Sequence, residues 1–142
     1  ARAGALDPQE RRAVERHTVI GVGLVDPLGL PAEVTMAIRH HHEWWDGRGY
    51  PDGVYGNQIP MAARIVSVAD AYDAMTSDRP YRRALSQEVA IDELRRFSGV
   101  QVDPVLVKEF LCIVESVDVD LQILAESVAT REAIEEPAAS SA

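Results

Sequence analysis

Cysteine is nearly absent from this chain, as are long apolar runs, strand-type alternation and clusters of positive charge. With a single cysteine, Cys112, an internal disulfide framework is excluded. That residue lies in the apolar run Phe110-Leu111-Cys112-Ile113-Val114, which predicts a buried, inert thiol. No stretch approaches the roughly 18 consecutive apolar residues that a membrane-spanning helix needs. Nor does any segment have the layout of a secretory signal, so the expected location is the cytoplasm. The net charge is −9, from 14 basic and 23 acidic side chains. Without a basic stripe, duplex nucleic acid is a poor partner. A small anionic ligand stays compatible where metals or arginines reverse the local charge. There is no internal repeat. The chain opens Ala-Arg-Ala-Gly without an initiator Met, and is expected to be a piece of something longer.

What is present is helical spacing, over a length of 142 residues that suits one core. Asp7-Pro8-Gln9-Glu10 is a helix start, with an acidic cap, a proline that fits the first position and an acid in the first turn. The apolar face runs from Val14 past His17 through Ile20, Leu24 and Val25 to the break at Asp26-Pro27-Leu28-Gly29. Pro31 opens a second helix with Val34, Ile38 and His41 or His42 at 3–4 spacing, so histidines arrive at its C-terminal end. From Asp46 to Pro60 glycines and prolines predict a loop without secondary structure of its own, a length that is usually functional. A long helix follows from about Met61 to Thr76, with Ile65, Val68, Ala69, Tyr72 and Met75 as its core stripe. Ser86 caps another through Phe97. Asp103-Pro104 opens a last one, with Val105, Val107, Phe110, Leu111 and Val114 as its apolar positions. Asp120 to Ala129 adds at most a short helix, and Glu132 to Ala142 is acidic and Ala/Ser-rich, the composition of a disordered tail. The fold class is all-α.

The chemistry gathers around His41 to Pro51, His-His-Glu-Trp-Trp-Asp-Gly-Arg-Gly-Tyr-Pro. Imidazoles and carboxylates are ligands for first-row transition metals, and arginines grip phosphate. His40, His41 and His42 are consecutive. Because neighbouring helical side chains diverge by roughly 100°, they cannot all serve one site unless the helix unwinds there. Asp70, in the middle of a mostly apolar helix, is either a carboxylate ligand or an exposed helix residue. Asp73 lies one turn further on and is placed to hold a ligand or an arginine. Arg79, Arg82 and Arg83 lie just beyond, as a phosphate grip or as a solvated cluster. Tyr50 offers an aromatic face and a hydroxyl to a base or phosphate. Of Trp44 and Trp45, at least one is expected in the core.

Taken together, His-His-Glu, Trp-Asp-Gly and Gly-Tyr-Pro, with Ile59-Pro60, Ala-Arg-Ile, Val-Ala-Asp, Asp-Arg-Pro-Tyr and Gly99 to Pro104 behind them, resemble the later part of an HD-GYP domain. The resemblance covers roughly Ala5 to Leu111. It implies a helical HD-superfamily-type bundle, incomplete at the N-terminus, with residues 1–116 as the C-terminal portion of the domain and 117–142 as an acidic, partly disordered tail. It further implies a metal-dependent phosphodiesterase that cleaves cyclic di-GMP to the linear dinucleotide or GMP, and an upstream sensory or receiver domain. By the same resemblance His17, His41, His42 and Asp70 match metal ligands, with His41, His42 and Asp70 the catalytic set. Two or three divalent ions are implied, iron or manganese. Arg79 and Arg82 match positions that hold substrate phosphates, and Gly49, Tyr50 and Pro51 line the substrate pocket. His40 matches no ligand position. The family's His-Asp-x-x-Lys segment is expected upstream of Leu6, its Asp bridging metals and its Lys on a phosphate, so the 142 residues alone are expected to turn over little. Two other readings share many of these residues: a non-catalytic module that binds a cyclic dinucleotide or a protein, and an HD-superfamily hydrolase for a different phosphoester.

Overall fold

Asp7 starts the first helix through its side chain. Its Oδ1 accepts the Gln9 and Glu10 amides at 2.7 and 2.9 Å, and the Glu10 carboxylate accepts the Asp7 amide at 2.9 Å. This reciprocal capping box satisfies donors that no helical carbonyl reaches. Helix α1 then spans Pro8–Glu15. In the computed structural model, which describes residues 7–79 and 82–117, a second helix, α2, spans His17–Val25. The apolar face expected to run on from Val14 is therefore divided at Arg16. There the His17 Nδ1 donates to the Val14 carbonyl at 2.6 Å and the Thr18 hydroxyl to the Glu15 carbonyl at 3.1 Å. Side chains take up carbonyls at the joint, the local competition that interrupts helices.

A 3-10 turn over Asp26–Leu28 and Gly29, in the left-handed region at φ +61°, reverse the chain. Helix α3 (Ala32–His40) follows Pro31 and packs against both α2 and α4, which spans Met61–Thr76 as the spacing predicts. On α4 the buried residues are Ala63 and Val68. The expected stripe is corrected at two positions, since Ile65 is 52% exposed and Ala69 is exposed as well. Apolar residues lie on both sides of this helix, so periodicity did not select the inward one. Helix α5 (Gln87–Phe97) begins at Ser86, whose hydroxyl accepts the Val89 amide at 3.4 Å, and packs on α4 while burying Ala90 and Leu94. The last described helical turns run over residues 104–117, opened by Asp103, whose Oδ1 accepts the Val105 amide at 2.8 Å. Val105 is exposed, contrary to the apolar face expected of it, while Val107 is buried.

No strand occurs among the described residues, only isolated bridges pairing Arg79 with Arg82 and Ser98 with Val102. The all-α reading holds. The chain divides between Lys108 and Glu109 into two units, and the candidate site lies wholly in the first. In the second, Leu111 is buried but Cys112 is exposed, which corrects the expectation of a buried thiol. Five successive apolar residues surround a helix at about 100° per step, so they cannot all face inward. The helix expected over Asp120–Ala129 and the tail over Glu132–Ala142 lie outside the described residues.

The loop after α3 is held from several directions. The Trp45 and Asp46 amides donate to the Gln101 and Val100 carbonyls at 3.1 and 3.0 Å, and the Gly56 amide to the Trp45 carbonyl at 2.9 Å. A short 3-10 turn over Gly56–Gln58 interrupts the segment expected to lack secondary structure. Beneath it the Arg64 Nη1 donates to the buried Asp103 carboxylate at 2.8 Å. Trp44 and Trp45 are both half-buried, under Arg48 and Arg64 guanidinium groups 5.5 and 5.9 Å from their ring centroids.

Candidate metal centre

Consecutive histidines share a site only where the helix unwinds, and it does so at these residues. Helix α3 ends at His40, and His41 and His42 occupy the turn beyond it. His40 points away from its neighbours. Its Nδ1 lies 3.0 Å from the Met36 carbonyl and its Nε2 2.9 Å from Asp52 Oδ2, while Arg39 donates to both Asp52 oxygens at 2.7 and 2.8 Å. Both of its ring nitrogens are thus engaged outside the cluster.

His41 and His42 meet His17, brought across by α2. One nitrogen from each of the three lies within 4.8 Å of the others. His17 Nδ1 and His41 Nδ1 both donate to backbone carbonyls, of Val14 at 2.6 Å and Ile38 at 2.9 Å. Those bonds fix the protonated nitrogen and leave each Nε2 with a free lone pair. The two Nε2 atoms face each other at 3.5 Å. Two nitrogens bound to one ion at about 2.1 Å stand at most about 4.2 Å apart, so this spacing suits a shared cation. Burial first, and then the neighbouring His41 and His17, push the His42 pKa down to about 4. It is neutral at physiological pH, the form that ligates. The donor set therefore fits a first-row transition metal.

Asp70 is exposed on α4 and stands outside the 4.8 Å cluster, but its charge reaches His42 and opposes the lowering of that pKa. One turn further along, Asp73 accepts the Ser77 hydroxyl at 2.8 Å and lies 3.9 Å from the Arg79 guanidinium. Arg82 donates to the Ala74 carbonyl, and Arg83 is exposed. The structure thus brings the three histidines together and sets the arginines at the C-terminal end of α4.

The Gly-Tyr-Pro segment closes over the cluster. Its Tyr50 amide donates to the His42 carbonyl at 3.2 Å, and the Tyr50 ring lies 5.1 Å from that of His42 and 6.5 Å from that of His17. The Tyr50–Pro51 peptide is cis. Burial, and then the Glu15 charge, raise the Tyr50 phenol above its usual range, so it stays protonated. Gly49 permits this approach. A methyl there would lie 2.5 Å from both the Glu43 Cα and the His42 carbonyl oxygen, and nearer still to the Trp44 amide nitrogen.

Sequence reasoning gave no role to Glu43, which anchors the loop from below. It is 2% exposed, and its Oε1 accepts the Asp52 and Gly53 amides at 2.7 and 3.0 Å. Its Oε2 is buried without a hydrogen-bond partner. The sequence carried no signal for this role, since the partners of Glu43 are backbone amides. Asp52 was also missed, as the shared partner of Arg39 and His40.

An HD domain family model matches residues 1–106, and the chain belongs to that family. It is 40% identical over 113 residues to a cyclic di-GMP phosphodiesterase of Thermotoga maritima, covering 76% of this chain and 30% of that protein. It is 40% identical over 104 residues to the cyclic di-GMP phosphodiesterase response regulator RpfG of Xanthomonas campestris, covering 71% of this chain and 27% of that one. A 3'3'-cGAMP-specific phosphodiesterase of Vibrio cholerae is 35% identical over 101 residues, with 71% of this chain and 22% of that one covered. Among solved structures, a cyclic GMP-AMP specific phosphodiesterase of Vibrio cholerae superposes with a TM-score of 0.66 at 26% identity, covering 78% of this chain and 25% of that one. The chain spans less than a third of the length of each of these relatives.

Proposed function

We propose that the chain is the metal-holding, C-terminal portion of an HD-GYP domain, in a longer protein that hydrolyses cyclic di-GMP to the linear dinucleotide or GMP. The observation that carries this reading is the convergence of three imidazoles beneath the Gly-Tyr-Pro loop, with two Nε2 lone pairs facing at 3.5 Å. His17, His41 and His42 would hold the metal, with Asp70 completing the set from α4. The electrostatic reach of Asp70 to His42 supports its inclusion. Held by these residues, divalent ions, two or three of iron or manganese, would supply Lewis acidity toward the phosphodiester. The chain's own residues do the rest. His42 stays neutral, and the two backbone-bound Nδ1 atoms keep their rings aimed inward. Tyr50 and Pro51 wall the substrate side, and Arg79 and Arg82 grip phosphoryl oxygens as the charge on them grows.

Residues 1–116 would form the domain portion and 117–142 a tail. Among the described residues no helix is long and apolar enough to cross a membrane, and we place the protein in the cytoplasm. A response regulator among the relatives supports an upstream receiver or sensory domain. The test is hydrolysis of cyclic di-GMP by a longer form of the protein that includes residues upstream of Ala1. His41→Ala and Asp70→Ala are each expected to abolish turnover, and near-parental hydrolysis by either would remove that residue from the metal set. Relatives named for 3'3'-cGAMP make that dinucleotide the second substrate in the assay.

A further inference from the structure

Beside the histidine cluster lies an open groove of about 270 Å³, lined by Arg12, Glu15, Arg16, Val19, Tyr50 and Pro51. It is cut at the joint of α1 and α2. Arg12 and Glu15 reach it from α1 and Val19 from α2, with Arg16 at the break between them. The groove is smaller than the sites of drug-sized ligands, about 300 Å³ and upward, and suits one base rather than a whole dinucleotide. Val19, Tyr50 and Pro51 give it apolar walls, and its polar groups are one carboxylate and two guanidiniums. Glu15 is half-buried and its Oε1 accepts from the Arg11 Nε at 2.9 Å, while no described donor reaches its Oε2. Among the described residues Arg12 and Arg16 pair with no carboxylate.

From this arrangement we infer that the groove reads one guanine of the substrate, and that Glu15 is the residue that determines this choice. Guanine alone among the common bases presents two adjacent N–H donors, N1–H and the N2 amino group, on its Watson–Crick edge, and a carboxylate accepts both. Its O6 and N7 are acceptors that suit arginine. Adenine offers one donor beside the N1 acceptor on that edge, so a carboxylate facing it meets a lone pair. A site built to pair such donors rejects the analogue that lacks them far more strongly than an apolar pocket does. The placement agrees with the chemistry, because Arg16 directly precedes His17 and Tyr50 touches both groove and cluster. A base seated in the groove holds its attached phosphodiester beside the imidazoles. This inference rests on the cyclic-dinucleotide reading of the site.

Equilibrium binding of cyclic di-GMP and cyclic di-AMP to this chain and to its Glu15→Gln variant, in the presence of manganese, tests it. Gln keeps the shape of Glu at an accessible position and turns one acceptor into a donor. The parent chain is expected to prefer cyclic di-GMP by about tenfold or more, the scale of a charge-assisted hydrogen bond. Glu15→Gln is expected to lose that preference, binding cyclic di-GMP more weakly and cyclic di-AMP as well as or better than the parent does, because a carboxamide both donates to and accepts from adenine. Retention of the preference by the variant, or equal binding of the two dinucleotides by the parent, overturns the inference and leaves the functional reading standing. No binding of either by the parent, with cyclic di-GMP still hydrolysed by the longer form, overturns the inference alone, and no hydrolysis by the longer form overturns both.

Discussion

His17 and His41 direct their Nε2 atoms at each other across 3.5 Å, although they stand 24 residues apart and each gives its Nδ1 proton to its own backbone. Two lone pairs held face to face repel unless a cation lies between them. Asp52, by contrast, is paired with both Arg39 and His40. The absence of such pairing between these two nitrogens is what gives the cluster its chemical direction.

The close approach of Gly49 to the chain after α3 leads to the first prediction. Gly49→Ala places a methyl against the backbone of His42, Glu43 and Trp44, where no side-chain rotation relieves the clash. It should destabilise the domain by about 3 kcal/mol, the upper part of the usual range for overpacking. Chemical denaturation measures this, and a loss below about 1 kcal/mol would show that the loop shifts freely.

Glu43 should act as a structural anchor. Glu43→Ala leaves the Asp52 and Gly53 amides without their acceptor, at a cost of about 2–4 kcal/mol for the pair. Hydrogen exchange at those two amides should accelerate in step with the loss of stability. Unchanged protection would mean that other acceptors serve them.

The carboxyl of Asp52 is held below the usual carboxylate range, chiefly by its hydrogen bond to Arg39 and then by the Arg39 charge and His40. A carboxylate with a lowered folded-state pKa contributes stability above its unfolded value, near pH 4, and loses it as pH falls through the lowered value. Thermal melts of the parent and of Asp52→Asn should therefore differ by a constant margin from about pH 5 to 7. The margin should shrink below about pH 4. A margin that persists unchanged into stronger acid would assign it to packing.

Much of this was legible in the sequence, element by element. The limits of α4 followed from Pro60 and the apolar period, and α5 from Ser86 and Gly99. For the histidines the sequence set only a condition, that consecutive ones cannot share a site unless the helix unwinds, and helix α3 ends at His40; His17 was joined to them by resemblance alone. The division at Arg16 was not readable, because it comes from His17 and Thr18 side chains capturing carbonyls, a choice the apolar pattern does not encode. Ile65 and Cys112 failed for a shared reason. Each sits where apolar residues surround the helix, so composition could not say which side faces in. Glu43 was overlooked because its partners are backbone amides, which have no signature in side-chain chemistry.

The most direct measurement is metal content and affinity, by mass spectrometry and titration with manganese, for the parent chain and for single substitutions at each of the four histidines. Loss of His17, His41 or His42 to alanine is expected to lower affinity by at least about tenfold. His40→Gln should retain it, since His40 faces Asp52. Undiminished binding after all three alanine substitutions, or a loss confined to the His40 variant, would contradict the assignment of the cluster as the metal site.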